Sequence, residues 1–157
     1  MMLRKMRQEE FPAYRDYFIE DYSREIMLNY GRSSEDAITQ AKQELSRSFP
    51  NGVEQTNQEL QCIEVNRQGL AQVVGYLWYS IDRQERAAFI CDFYVAEKYR
   101  GQSYGKQAMQ TLEHSLQRDG IHQIKLRVAF HNKRAFALYE TLGFAVTGFN
   151  MAKNVSA

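Results

Sequence analysis

Residues 89–106 read Phe89-Ile90-Cys91-Asp92-Phe93-Tyr94-Val95-Ala96-Glu97-Lys98-Tyr99-Arg100-Gly101-Gln102-Ser103-Tyr104-Gly105-Lys106. An apolar run of strand type passes into a short turn of small and flexible residues, and helical periodicity begins at once. Tyr104, Ala108, Leu112 and Leu116 recur every four residues with Met109 beside them, so the helix lays one face on a sheet. A helix starting there turns unpaired main-chain N–H groups and the positive end of its dipole toward the turn, which suits a phosphate. Gly101 and Gly105 let the main chain approach an anion closely, and Lys98, Arg100 and Lys106 add local positive charge. Two better-known phosphate loops are excluded. A Walker loop needs one more residue between Gly101 and Gly105 and a hydroxyl where Gln107 stands, and a Gly-x-Gly-x-x-Gly fingerprint is absent. Taken alone, the stretch also reads as a plain strand-to-helix turn with solvated charges.

Upstream, Gln61–Asn66, Gln72–Ile81 and Ala87–Ala96 read as strands. They are separated by Arg67-Gln68-Gly69 and Asp82–Arg86, short enough for antiparallel hairpins. Before them, Leu3 and Met6 suggest an edge strand. From Glu9 the apolar residues Phe11, Tyr14, Phe18, Ile19, Tyr22, Ile26 and Met27 take helical spacing, with Pro12 tolerated in the first turn and Gly31 as the stop. Ser33-Ser34 opens a second helix to about Arg47, and Ser48–Asn57 is a loop carrying Pro50 and Gly52. Downstream of the phosphate-type turn come a helix Gly105–Asp119, a strand Gln123–Phe130, a helix Lys133–Leu142 stopped by Gly143, and two short strands. A meander followed by a strand-helix-strand unit makes a mixed α/β domain with helices on the faces of its sheet.

The 157 residues suit one domain, 1–157, and the 44% hydrophobic and 25% charged composition is that of an ordinary globular chain. A net charge of +1 supplies no footprint for nucleic acid. No stretch is long and apolar enough for a membrane span. Gln8-Glu9-Glu10 follows the basic start where a signal peptide would have its apolar core. The expected setting is the cytoplasm. Cys62 and Cys91 lie in apolar strand-like runs and are expected to be small buried hydrophobes.

A second segment narrows the function. His131-Asn132-Lys133-Arg134-Ala135-Phe136-Ala137-Leu138-Tyr139-Glu140-Thr141-Leu142-Gly143-Phe144 places Asn132 to cap a helix. Tyr139 lies seven residues on, near the same face and roughly 10 Å along the axis. By itself Tyr139 reads as a core aromatic. The two segments together, in this order, resemble the GNAT superfamily of N-acetyltransferases over the C-terminal half from Ile81. The family's loop, Arg/Gln-x-x-Gly-x-Gly/Ala, is matched by Arg100 and Gly105. Its later signature, Asn-x-x-Ala-x-x-Leu-Tyr-x-x-x-Gly-Phe, is matched from Asn132 through Phe144. Ser103 departs from the pattern, standing where the family usually has glycine. If that position needs positive φ, serine costs on the order of 1 kcal/mol.

The resemblance implies a mostly antiparallel central sheet of about six or seven strands flanked by about four helices. It also implies direct transfer of an acetyl group from acetyl-CoA to a primary amine in a ternary complex, with no metal. In that scheme the main chain of Phe93, Tyr94 and Val95 holds the pantetheine arm, and the Val95 N–H faces the thioester oxygen. Arg100, Gly101, Gln102, Ser103, Tyr104, Gly105, Lys106 and Asn132 serve the phosphate and pantetheine region, and Tyr139 protonates the departing thiolate.

The ammonium ion of the acceptor must lose a proton. A carboxylate within an apolar run is costly without a partner or a task, which makes Asp92 the first candidate, ahead of Glu64 and Glu20. Asp92 reads as well as a hydrogen-bonded brace of its strand. Acidic residues on the first helix, Glu20 and Asp21 among them, suggest a cationic amine, although a solvated helix face explains them too. The partners expected are acetyl-CoA and an amine, with no nucleic acid and no membrane; a homodimer is compatible with the sequence. The competing reading on the same fold is a non-catalytic acyl-CoA-binding module. A nucleotide-binding or phosphotransfer domain ranks behind it.

Overall fold

The structure, a computed structural model, describes residues 1–54 and 57–155. Its sheet has five strands in sequential order: β1 (Met2–Lys5), β2 (Glu59–Arg67), β3 (Leu70–Asp82), β4 (Ala87–Val95) and β5 (Gln123–Leu126). The first three pairings are antiparallel, and β5 lies parallel to β4. A parallel pair needs a long crossover, and helix α3 (Tyr104–Arg118) supplies it. The other helices are α1 (Phe11–Tyr30), α2 (Ser34–Ser48) and α4 (Lys133–Thr141).

Local chemistry sets most of the boundaries. Pro12 sits in the first turn of α1, and Gly31, in the left-handed region at φ 63°, returns its N–H to the Met27 carbonyl. Ser33 caps α2 by accepting from the Asp36 N–H at 3.2 Å. On one face of the sheet, α1 and α2 bury Tyr14, Phe18, Leu45 and Phe49 against Leu60, Cys62 and Trp78. On the other, α3 buries Met109, Leu112 and Leu116 against Leu77, Ala88 and Ile90. Each large apolar side chain contributes about 1.5–3 kcal/mol by leaving water, which holds the helical layers on the sheet.

The sheet falls short of the six or seven strands expected. The strand read as Gln123–Phe130 ends at Leu126, and neither short strand after Gly143 forms among the described residues. The last main-chain hydrogen bond is from the Phe144 N–H to the Tyr139 carbonyl, and residues 145–155 run exposed. An apolar stretch becomes a strand only where an edge pairs with it, and this one has none. A second correction concerns Cys91, which is exposed while Cys62 is buried. Trp78 pairs with Asp92 and Tyr79 with Ile90, so Cys91 is an extra residue in β4, a β-bulge. No helix among the described residues is long and apolar enough to cross a membrane.

Candidate active site

The site begins where two parallel strands part. The pairing of β4 with β5 stops at Ile90 and Leu126, while β4 continues to Val95. The Ala96 N–H donates to the Val74 carbonyl of β3 at 2.8 Å. Peptide groups alternate sides along a strand, so the N–H groups of Val95 and Phe93 point into the opening. The Val95 carbonyl points the same way and accepts from Arg100 Nε at 2.8 Å. Tyr94 differs. Its carbonyl lies against Gly75 of β3, where a Cβ would collide with that oxygen. Of the three residues expected to lend main chain to a ligand, Phe93 and Val95 are turned to the opening and Tyr94 brings its ring.

Beside the mouth lies the turn before α3. Gly101 has φ 78°, and a Cβ there would meet nothing within 4 Å, so glycine serves conformation alone. Gly105 has no such demand; a Cβ on it would make ordinary contacts with Phe93, Val95 and Leu138. It marks where β4, α3 and α4 converge. Ser103 precedes the helix at φ 67° and ψ 13°, the left-handed conformation foreseen as costly, and its hydroxyl makes no capping bond. The first helical N–H bonded within the chain is that of Gln107, donating to Ser103 at 3.0 Å. The N–H groups of Tyr104, Gly105 and Lys106 therefore face outward with the dipole behind them, a cradle for a diphosphate. Arg100 is anchored over the Tyr94 ring, 5.7 Å from its centroid. Arg67, from the end of β2, reaches Gln102 and stands over the Tyr99 ring.

Asp92 owes its direction to the bulge. Strict alternation would put it on the Ile90 face, toward α3; the extra Cys91 turns it toward α1 and leaves Phe93 packed on the α3 side. There it accepts from the Tyr14 hydroxyl at 2.9 Å and the Tyr17 hydroxyl at 3.1 Å. Burial raises its pKa to about 7, against the lowering by the two phenols, with further upward pressure from Asp21 and Glu25. Tyr17 also packs on the Tyr94 ring at 4.1 Å between centroids, with Tyr76 alongside at 5.5 Å. The carboxyl thus sits under an aromatic wall, poised to hold or lose a proton near neutrality.

Across the opening, Tyr139 of α4 packs against Phe93 and Phe144 at 6.4 and 5.7 Å. Burial first, and the Asp92 charge second, push its phenol up to about 12. Asn132 caps α4, its Oδ1 accepting from the Ala135 N–H at 3.1 Å. Asp21 faces the same region, its carboxyl raised by burial and drawn down by Arg24, Arg100 and Arg134. Glu20 does not join it. Exposed, it pairs with Arg24 at 3.2 Å and lines a groove between α1 and α2 with Ile19, Ser23 and Lys42. Glu64 is engaged by Arg4 at 2.9 Å, and the same arginine holds the Glu10 carboxyl down at about 2.

The sequence reading set Tyr14, Tyr17 and Glu25 with the acidic residues of α1 but did not join the two phenols to Asp92. Glu25 is four residues beyond Asp21, and its carboxyl is raised by burial and then by Asp21. The signal lay in α1, where Tyr14, Tyr17 and Asp21 follow at intervals of three and four and so share a face. A helix-face analysis would have grouped them; only the packing of α1 on β4 shows what they meet. No cluster among the described residues could hold a metal ion.

Comparison with known proteins identifies the family. The family model described as acetyltransferase (GNAT) family matches residues 4–144. The chain is 34% identical over 157 residues to YycN of Bacillus subtilis (strain 168), named an uncharacterized N-acetyltransferase, covering 99% of each chain. YdgE of the same organism, named likewise, is 29% identical over 98% of this chain and 97% of its own. The crystal structure of YycN superposes with a TM-score of 0.88 over 99% of both chains. The PaiA N-acetyltransferase of Thermoplasma acidophilum, crystallised with coenzyme A, shares the fold at 18% identity and a TM-score of 0.66, over 95% and 92% of the two chains. With a family match over most of its length and a relative alike from end to end, this chain belongs to the acetyltransferase (GNAT) family and is an acyltransferase.

Proposed function

We propose that this chain, acting as one domain over residues 1–157, moves an acetyl group from acetyl-CoA to a primary amine by direct attack in a ternary complex. One observation carries the reading. β4 and β5 part beyond Ile90 and Leu126 beside the outward N–H groups of α3, and the Asp92 carboxyl, two residues past the split, lies close enough for its charge to raise the Tyr139 phenol. The residues fit the cosubstrate. The N–H groups of Tyr104, Gly105 and Lys106 meet the diphosphate, with Gly101, Gln102 and Ser103 shaping the turn and Arg100 and Lys106 adding charge. The Phe93 and Val95 main chain extends the sheet toward the pantetheine amides, as an added strand would, and the Asn132 amide nitrogen is available to the same arm. Acetyl-CoA brings the activated acyl group; the protein's part is to aim it and move protons.

Asp92, with a pKa of about 7, takes the proton from the incoming ammonium. The Val95 N–H donates to the thioester oxygen as the carbon–nitrogen bond forms and negative charge grows there. Tyr139 gives its proton to the sulfur as the carbon–sulfur bond breaks. Asp21, with Glu25 beside it, draws a cationic amine toward the mouth, while Glu20 is set apart on the α1–α2 groove. The unpaired cysteines suit the cytoplasm as the setting.

The test is a panel of amines with release of free CoA thiol as the readout, paired with calorimetry of coenzyme A binding. Saturable binding with thiol release on at least one amine is expected, and Tyr139→Phe lowers kcat by about 100-fold or more with little change in binding. Binding without thiol release on any amine would mark an acyl-CoA-binding module instead. No binding would remove the premise.

A further inference from the structure

Two cations beside the turn into α3 have no part in the scheme above. Arg67 closes β2 at the hairpin into β3, and Lys98 stands in the segment after β4. Both reach the ring of Tyr99, at 5.3 and 5.1 Å from its centroid. Strand pairing brings them together. Because β3 runs antiparallel to both β2 and β4, the ends of those two strands lie at the same edge of the sheet. Tyr99 is a fixed platform: half-buried, it packs against Ile63, Val65, Val74 and Ala108, and its hydroxyl donates to Gln72 Oε1 at 3.5 Å. Neither cation forms an ion pair among the described residues. The Arg67 guanidinium instead donates to Gln102 Oε1 at 3.4 Å, which ties it to the turn. Like charges gathered over one ring repel each other, and an anion between them removes that repulsion.

We propose that Arg67 and Lys98, held over Tyr99, form a second anion site that takes the 3′-phosphate of coenzyme A, so that this chain selects the full cosubstrate over its dephosphorylated form. The inference rests on the reading of acetyl-CoA as cosubstrate. On that reading the diphosphate lies on the N–H groups of Tyr104, Gly105 and Lys106, and the pantetheine leaves it for the gap between β4 and β5. The ribose leaves from the other end of the diphosphate, on the outer side of the turn. The span agrees. One ribose separates the diphosphate from the 3′-phosphate, and Gln102 stands two residues from Tyr104, at most about 8 Å of chain. The charge agrees as well. A phosphate monoester carries about −1.5 to −2 near neutral pH, which makes it the most anionic group of the molecule and the one that two spare cations suit best. A guanidinium can meet such a group with two parallel N–H donors, and a cation already seated on a ring loses little freedom in doing so. Other cations nearby are engaged elsewhere. Arg100 donates to the Val95 carbonyl and lies over Tyr94, and Lys133 covers the Phe130 ring at 3.8 Å. The Arg134 charge acts on Asp21 and Tyr139, on the acceptor side of the opening.

Calorimetric titration of the full chain with coenzyme A and with 3′-dephospho-coenzyme A tests this without an acceptor amine. The wild type is expected to bind coenzyme A about ten-fold or more tightly than the dephospho form. Because the site is exposed, that preference should shrink as salt rises from about 50 to about 500 mM. In the double variant Arg67→Ala, Lys98→Ala the preference is expected to fall to about two-fold or less, through weaker binding of coenzyme A alone. Unchanged binding of the dephospho form shows at the same time that the variant is folded and its diphosphate cradle intact. Arg67→Gln, a milder change, should show the same one-sided loss in smaller measure. A wild type without preference overturns the proposal, as does a folded variant that keeps the full preference or loses affinity equally for both ligands. Loss of the preference in Lys133→Ala alone overturns it too, by moving the 3′-phosphate to α4. If neither ligand binds the wild type, the cosubstrate reading itself fails, and this site with it.

Discussion

Replacing Asp92 with asparagine probes the electrostatic centre of the site. In the folded chain this carboxyl has a pKa of about 7 against an ordinary 3.8, because burial outweighs the hydrogen bonds from Tyr14 and Tyr17. The sign follows from proton counting. Below about pH 4 both folded and unfolded chains hold the proton. Between there and pH 7 the folded chain keeps a proton the unfolded chain has lost, so stability falls as pH rises, and the loss is complete above about pH 7. At about 1.4 kcal/mol per unit, the full loss is on the order of 4 kcal/mol. About 3 kcal/mol of it falls between roughly pH 5 and pH 8. Asparagine keeps an acceptor for the phenols and carries no titrating proton. Urea denaturation of both proteins at several pH values should show Asp92→Asn gaining about 3 kcal/mol on the wild type from pH 5 to pH 8. Parallel stability curves, with a gap constant to about 0.5 kcal/mol, would refute the desolvated carboxyl. Activity supplies a companion reading: wild-type kcat/KM should rise through about pH 7, and the residual activity of the variant should lack that inflection.

Further outcomes follow from the same geometry. Gly75→Ala would drive a methyl into the Tyr94 carbonyl; a loss of about 1–3 kcal/mol is expected, with weaker coenzyme A binding through a displaced Val95, and a variant unchanged in both would contradict the close approach. Asp21→Asn should raise the KM for a cationic amine several-fold while Glu20→Gln leaves it alone, and equal effects would mean that both residues face the substrate. Ser103→Gly relieves a left-handed serine, so thermal melting should show a gain of up to about 1 kcal/mol, offset in part by the freer unfolded chain; a clear loss would show that the serine side chain supports the turn.

Much of the fold was legible because it rests on local rules. The periods of α1 and α3, the stops at Gly31 and Gly143, and the hairpins around Gly69 and Asp82–Arg86 are each written within a few residues, and their boundaries fell within about two positions of those read. The turn into α3 was legible for the same reason, since Gly101 supplies left-handed main chain and Gly105 stands at the helix start. The last strands were not. Residues 144–155 have strand-like chemistry, and whether they pair depends on an edge that a local reading cannot supply. Glu20 and Asp21 looked equivalent as neighbours in sequence. A helix separates adjacent residues by about 100°; both side chains are exposed, but Asp21 comes within reach of the Arg100 and Arg134 charges while Glu20 pairs with Arg24.

By itself the sequence determined the order of elements through α4, the glycine-containing turn into α3 and the residue types proposed for proton transfer, because these depend on spacing along the chain. Tertiary structure alone decided where Asp92 points. One unpaired residue, Cys91, shifts the alternation of β4, turning the carboxyl from the α3 face to the two phenols of α1 while sending Phe93 the other way. A bulge is a property of two strands in register, so no inspection of β4 alone reveals it.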